Sequence, residues 1–171
     1  KIEVHGNNKS VAEIERAVQV GVKTIVIDSL FEIERVAAAA SKHGVRQGVM
    51  LRLTPGVEAH THESISTAHE DVKFGFSIAS GAAAIAVAEV LSHASLELRG
   101  FHCHVGSQIF GTDSFELAAT RIIALMKACK EKHGVELPEL DLGGGYAIAY
   151  VPGEKTVEPE DVLPSLSAVV K

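Results

Sequence analysis

Thr24-Ile25-Val26-Ile27 decides the predicted fold, because four β-branched residues in a row are typical of a strand that is buried on both faces. Strands of this kind belong to parallel sheets, whose faces are covered by helices. Before the run, the apolar spacing over residues 11–18 predicts a helix that Gly21 ends. After the run, residues 31–43 predict a second helix, which Gly44 closes.

Strand and helix patterns continue to alternate along the chain. Predicted strands start at Ile2, Thr24 and Gly48, a spacing of roughly 22 to 24 residues. Beyond a long polar segment over residues 54–79, the patterns predict further elements at Ser80–His93 (helix), Leu96–His104 (strand), Asp113–His133 (helix) and Leu140–Leu142 (strand), with one more helix in the tail. Such alternation predicts a parallel sheet, either an open doubly wound sheet or part of a (β/α)8 barrel. A full barrel takes about 250 residues, so a chain of 171 residues would form only part of one.

The composition excludes several classes of partner. The net charge is −6 and no basic cluster occurs, which argues against nucleic acid and against an anionic membrane surface. The longest apolar runs, such as Ala82–Ala88, are far shorter than the roughly 20 residues of a membrane span. The two cysteines, Cys103 and Cys129, have no metal or redox spacing, so we expect reduced thiols in a cytoplasmic protein.

The stretch Phe101-His102-Cys103-His104-Val105-Gly106-Ser107-Gln108 is a candidate ligand site. If it ends a strand, His102 and His104 point to the same face and Ser107 lies at the rim. Three interpretations stay open from these residues alone. The pair could contact an organic cofactor, or it could be structural. It could also hold zinc, with further ligands from Asp28, Asp141 or the loop histidines His60, His62 and His69.

Leu142-Gly143-Gly144-Gly145 follows a predicted strand and is a candidate anion cradle. Glycines let backbone N–H groups approach a phosphate without interference from Cβ atoms, as happens beside a helix N-terminus. A mobile turn is the alternative interpretation. The spacing of a dinucleotide-binding loop, G-x-G-x-x-G, is missing.

Two charged residues are further candidates. Arg52 interrupts an apolar strand, and burial of a guanidinium is costly unless it is paired, so we expect it to face the barrel interior near the site. Lys73 could be an activated lysine that forms a Schiff base, although loop lysines are more often solvated charges.

Six motifs follow one another along the chain, namely His5-Gly6-Asn7-Asn8-Lys9-Ser10, Arg52-Leu53-Thr54-Pro55-Gly56, Thr61-His62 with Ile65-Ser66-Thr67, Lys73-Phe74-Gly75, His102–Gln108 and Leu142–Gly145. In this order they resemble diaminopimelate decarboxylases, particularly those of actinobacteria. These enzymes are fold-type III pyridoxal-phosphate enzymes and relatives of ornithine decarboxylase and alanine racemase. The resemblance covers essentially the whole chain.

The resemblance implies a fold, a cofactor and a set of binding residues. Residues 1–171 would form an incomplete (β/α)8 barrel of the alanine racemase type, covering about strands three to seven, without the family's C-terminal β-domain. The cofactor would be pyridoxal 5'-phosphate. The residues implied to bind it are His104, which stacks on the pyridine ring, Ser107, Gly143, Gly144 and Gly145, which hold the phosphate, and Arg52 and Asp141, which support it as nearby polar groups.

The same resemblance implies that this chain contains no catalytic residue of its own. The family's Schiff-base lysine would lie before Lys1, so Lys73 is not that lysine, and the Glu-Pro-Gly-Arg segment of the eighth strand would follow the chain. We therefore expect a segment of a longer polypeptide that is inactive by itself. Ala147 departs from the glycine that many members carry.

The expected function of the longer protein is decarboxylation of meso-2,6-diaminopimelate to L-lysine and CO2, by a homodimer whose partner subunit completes the site. Three alternatives remain at this point. They are a related decarboxylase acting on ornithine, arginine or carboxyspermidine, a non-catalytic decarboxylase-like regulator, and a metal-dependent barrel hydrolase.

Overall fold

Strands and helices alternate along the chain, as the sequence predicts. The structure, a computed structural model, describes residues 2–57 and 74–170. The strands are β1 (Glu3–Val4), β2 (Thr24–Ile27), β3 (Gln47–Thr54), β4 (Phe76–Ser77), β5 (Leu96–Cys103) and β6 (Glu139–Asp141). The helices are α1 (Val11–Gln19), α2 (Leu30–Lys42), α3 (Ala82–Ser92), α4 (Asp113–His133) and α5 (Pro159–Val170).

The strand order decides between the two predicted architectures. The strands lie in the order β1-β2-β3-β5-β6, every pair is parallel, and the short β4 pairs with the end of β3. Each βα unit therefore adds its strand on the same side of the previous one, whereas a doubly wound sheet reverses direction at a switch point. The sheet curls into part of a (β/α)8 barrel of the alanine racemase type, which confirms the predicted fold class.

The hydrophobic core lies between one face of this sheet and the helices. Ile25, Leu51 and Phe101 are fully buried there, and Phe115 and Ile122 reach them from α4. Side chains alternate along a strand, so every second residue points to the opposite face. That opposite face is the concave inside of the partial barrel.

One irregularity interrupts the pairing of β3 with β5. Val49 pairs with Leu98, but the next residue, Met50, pairs with Gly100, so Arg99 is an extra residue in β5. This is the arrangement of a β-bulge. The guanidinium of Arg99 donates to Glu139 Oε1 at 2.7 Å, which ties β5 to the start of β6.

The polar segment over residues 54–79 differs from the prediction, because it contains a short strand. β4 is only two residues long, and so short an element has no periodicity to reveal it. Residues 58–73 lie outside the described part of the chain, and with them the candidate Lys73 and the motif at 61–67. Among the described helices, none is long and apolar enough to cross a bilayer.

Candidate functional site

Polar side chains form a row across the concave face, near the carboxyl ends of four neighbouring strands. Arg52 pairs with His102 in the β3–β5 register, and His102 pairs with Asp141 in the β5–β6 register. Asp28 follows β2 next to Arg52, and its Oδ1 lies 3.9 Å from Arg52 Nε. In parallel barrels functional groups gather at this edge. The structure therefore brings the predicted Arg52 and Asp141 into one row.

His102 is the most deeply buried member of the row. Its side chain belongs to a residue only 5% exposed, and its Nδ1 has no hydrogen-bond partner among the described residues. Burial lowers the pKa of His102 to about 4, His5 and Arg52 act in the same direction, and Asp141 opposes them. The ring of His5 meets it edge-on at 4.9 Å between centroids. His102 is therefore a neutral imidazole at neutral pH.

His104 lies just beyond the end of β5 and is half-buried. Burial and, next, the charge of Arg52 lower its pKa, and Asp141 again opposes the shift. A methyl group built on Gly143 would come within 3.1 Å of His104 Nδ1, so the ring lies against the start of the glycine run. Arg52 and Asp141 thus affect the pKa of both His102 and His104, as expected for side chains on one face.

The glycine run packs against the loop after β5. Gly143 and Gly145 have φ values of 71° and 103°, in the region that favours glycine. A Cβ atom on Gly145 would lie 1.8 Å from the carbonyl oxygen of Gly106 and 3.3 Å from Ser107 Cα, so only glycine permits this contact. The predicted Ser107 and the glycines therefore meet at one place.

Three hydrogen-bond donors at this contact are unpaired in the part of the chain that the structure describes. The N–H of Gly143 donates to Asp141 Oδ1 at 2.7 Å, which turns the chain into the glycine run. Within residues 2–57 and 74–170, the N–H groups of Gly144 and Gly145 and the hydroxyl of Ser107 have no protein acceptor. A Cβ on Gly144 would meet nothing within 4 Å, so the space beside it is open. Unpaired donors beside open space are one requirement of a backbone anion cradle.

The segment directly after the glycine run is not helical. No helix begins at the glycine run, because the next helix, α5, starts at Pro159. The run continues instead into an isolated parallel bridge between Ile109 and Tyr146, in which Ile109 N–H donates to Gly145 O at 2.9 Å. A phosphate cradle here would therefore rely on backbone N–H groups and the Ser107 hydroxyl, without a helix dipole. The same hydrogen bond distinguishes the run from an untethered turn.

A family model described as the pyridoxal-binding domain of pyridoxal-dependent decarboxylases matches residues 1–171, the whole chain. The chain belongs to the pyridoxal-dependent decarboxylases. The predicted family and cofactor class are thereby confirmed.

Relatives within this decarboxylase family share the fold and much of the sequence. The diaminopimelate decarboxylase of Mycobacterium tuberculosis is 50% identical over 174 residues, which cover 99% of this chain and 39% of that protein. The crystal structure of the M. jannaschii diaminopimelate decarboxylase in complex with L-lysine has a TM-score of 0.88 at 28% identity, covering 99% of this chain and 39% of that one. The Helicobacter pylori diaminopimelate decarboxylase structure complexed with L-lysine has a TM-score of 0.87 at 26% identity, covering 96% of this chain and 41% of that one. The chain thus spans about two fifths of the relatives it matches.

The residues present fit the cofactor of the pyridoxal-dependent decarboxylases. Pyridoxal 5'-phosphate needs donors for a phosphate and a flat surface for its ring. The unpaired N–H groups of Gly144 and Gly145, beside the open space at Gly144, suit the phosphate. His104, whose ring lies next to Gly143, offers a flat aromatic surface beside the same glycine run.

A buried ion pair lies next to the polar row, and sequence reasoning missed it. Lys9 Nζ lies 2.9 Å from Glu32 Oε1, with side-chain exposures of 4% and 7%. Lys9 also donates to Val26 O at 2.7 Å, and Glu32 Oε2 accepts from the N–H of Asp28 at 2.8 Å. The pair therefore fixes the end of β2 and, with it, the neighbour of Arg52. Its members are 23 residues apart, so no local pattern could reveal it.

His102 and His104, the histidines predicted as possible zinc ligands, are not part of a candidate metal site in the described residues. In the described part of the chain, the group whose ligand atoms lie within 4.8 Å of one another is Glu3, His5 and Asp141, and two of these residues are exposed. Neither His102 nor His104 belongs to it. The family match is to pyridoxal-dependent decarboxylases, not to metal-dependent hydrolases.

Proposed function

We propose that a full-length protein containing this chain is a carboxy-lyase that converts meso-2,6-diaminopimelate into L-lysine and CO2, the last step of lysine biosynthesis. The observation that carries this proposal is the 50% identity with the M. tuberculosis diaminopimelate decarboxylase over 99% of the chain. Because the chain covers only 39% of that protein, the activity is proposed for the longer protein. Residues 1–171 would supply the central part of its cofactor-binding barrel.

When bound, the cofactor supplies the electron sink that accepts the electron pair left by the departing CO2. This chain's residues would hold the cofactor in place. We assign the ring contact to His104. Its lowered pKa favours the uncharged imidazole, and an uncharged aromatic ring can stack on the cofactor's ring. His102 would remain a structural neighbour beneath it.

The phosphate would be held by Ser107, Gly143, Gly144 and Gly145. Support comes from the close approach of Gly145 to the Gly106 carbonyl, which brings the two loops together. Asp141 contributes by shaping the loop, since its Oδ1 accepts the Gly143 N–H. A dianionic phosphate monoester would be attracted to the N–H and O–H dipoles of these residues.

Arg52 would place a fixed positive charge on the concave face. Its Nε lies 3.9 Å from Asp28 Oδ1, and its guanidinium lies over the ring of Phe74, 4.7 Å from the centroid. A charge held on two sides loses little side-chain entropy when a ligand binds. We therefore propose Arg52 as a supporting polar group of the cofactor site.

Other parts of the active site would come from the longer protein and from its partner subunit. We propose that the lysine that binds the cofactor covalently comes from outside this chain, that a partner subunit completes the site in a homodimer, and that residues 1–171 alone have no activity. A cytoplasmic location is proposed from the two free, buried cysteines, Cys103 and Cys129, which suit a reducing compartment.

The test is a turnover screen of the purified full-length protein with pyridoxal 5'-phosphate. CO2 release is measured from meso-diaminopimelate, ornithine, arginine and carboxyspermidine at equal concentrations. Release from diaminopimelate at least tenfold above the others supports the proposal. Preference for another substrate assigns a related decarboxylase, and no release from any of them indicates a regulator. Residues 1–171, assayed beside it, are expected to release none.

A further inference from the structure

We propose that Gln108 is a positioning residue that holds the loop after β5 against the glycine run and thereby sets the geometry of the phosphate cradle. This inference rests on the proposed function, since it concerns the same cofactor site. Gln108 is not among the groups expected to touch the cofactor.

The side chain of Gln108 makes a two-way hydrogen bond with the backbone of Ile148. Its Nε2 donates to Ile148 O at 3.0 Å, and the Ile148 N–H donates to its Oε1 at 3.0 Å. The carboxamide thus pairs with the backbone as a peptide group in a neighbouring strand would. The partner is 40 residues away, on the segment that continues from the glycine run.

Two backbone hydrogen bonds flank this pair. Ile109 N–H donates to Gly145 O at 2.9 Å, and Ala147 N–H donates to Ile109 O at 3.1 Å. Together the four bonds join residues 108–109 to residues 145–148. They begin directly after Ser107, so the distance from its hydroxyl to the N–H groups of Gly144 and Gly145 depends on them.

The backbone of Gln108 has a conformation that favours glycine, although the residue carries a hydrogen-bonding side chain. Its φ is 56°, and it is the one residue other than glycine with positive φ among the residues the structure describes. An L-residue resists this conformation, whereas glycine adopts it freely. A glycine here would relieve the backbone and lose both carboxamide bonds. A glycine substitution therefore removes the two hydrogen bonds to Ile148 while keeping the positive φ of residue 108 favourable.

A misplaced cradle has a specific chemical signature. The cradle faces the phosphate of the cofactor, not its ring, so loosening it weakens binding of pyridoxal 5'-phosphate more than binding of pyridoxal. A residue that merely supports the fold would affect both compounds alike. The ratio of the two affinities consequently reports on positioning.

The experiment uses the full-length protein and three variants. Q108M keeps the length and neutrality of the side chain without its hydrogen bonds, and Q108G also relieves the backbone. Q19M makes the same change at an exposed glutamine on α1, far from the site. Dissociation constants are measured for pyridoxal 5'-phosphate and for pyridoxal. Amide hydrogen exchange at Ile148 is followed without cofactor.

Net values for single hydrogen bonds lead us to expect about tenfold weaker binding of pyridoxal 5'-phosphate in Q108M and Q108G. Pyridoxal binding should change by less than about twofold, Q19M should match the unchanged protein, and the Ile148 amide should exchange faster in Q108M. Equal losses for both compounds, or an unchanged Ile148 amide, would overturn the inference and leave the proposed function intact. An unchanged protein that binds no pyridoxal 5'-phosphate would overturn both.

Discussion

Lys9 Nζ lies 2.9 Å from Glu32 Oε1, and both side chains are almost completely buried. Lys9 also reaches the carbonyl oxygens of Gly6 and Val26, while Glu32 accepts the Asp28 N–H. A buried pair of this kind is costly to break, because removal of one partner leaves the other charge desolvated. The pair therefore couples the loop after β1 to the end of β2, where the polar row begins.

Glu32→Gln should destabilise the fold by about 3 to 5 kcal/mol, because Lys9 then keeps a buried charge without a carboxylate. Denaturant titration of the full-length protein, followed by circular dichroism, measures the change. The matched control is Lys42→Met, which removes the exposed pair with Glu15 and should have a far smaller effect, because exposed ion pairs contribute little to stability. Equal effects of the two substitutions would show that burial of the Lys9–Glu32 pair is energetically unimportant.

Gly145→Ala should lower stability by at least about 2 kcal/mol, because its Cβ would overlap the Gly106 carbonyl at 1.8 Å in a backbone with positive φ. Gly144→Ala is the control, since a Cβ there meets nothing within 4 Å. Thermal unfolding without cofactor compares the two. A stable Gly145→Ala protein would contradict the close contact between the loops.

Stability should fall as the pH is lowered from about 6.5 towards 4, because burial holds the pKa of His102 near 4 in the folded protein. Across this window the unfolded chain binds a proton that the folded chain excludes, so acid favours unfolding. The shift from 6.5 to about 4 corresponds to roughly 3 kcal/mol. His102→Gln should flatten the dependence of the unfolding free energy on pH. Equal slopes in the two proteins would refute the assignment.

His104→Ala should weaken binding of pyridoxal 5'-phosphate by about 3- to 10-fold, the value of one aromatic contact. His104→Phe should retain most of the affinity, because it keeps a flat ring and the native imidazole is already uncharged by its lowered pKa. The measurement is a cofactor titration by absorbance. A phenylalanine variant as weak as the alanine variant would indicate that His104 acts through a hydrogen bond instead of its ring.

The fold was largely predictable because its signals are local. Thr24–Ile27 is a strand and Asp113–His133 is a helix over the predicted residues. The choice between barrel and open sheet was not predictable from patterns, since both repeat strand and helix. It depends on strand order, which only the structure and the family relationship supply.

The candidate site was predictable where its residues belong to short sequence motifs. The glycine run and His104 are short patterns at strand ends, and the structure brings them together. The assignment of their roles stays a prediction. Gln108 and Ile148 are 40 residues apart, and neither residue type signals such a contact. Interactions between distant segments are what sequence patterns omit.

The extra residue in β5 changes which residues of the strand face the core. Before Arg99, the even-numbered residues Leu96 and Leu98 face the core, and after it the odd-numbered Phe101 and Cys103 do so. If Arg99 paired regularly with Met50 instead of bulging out, Phe101 would lie beside Arg52 and His102 would turn towards the helices. The bulge at Arg99 therefore determines whether the mouth of the barrel is lined with imidazole or with a hydrocarbon ring.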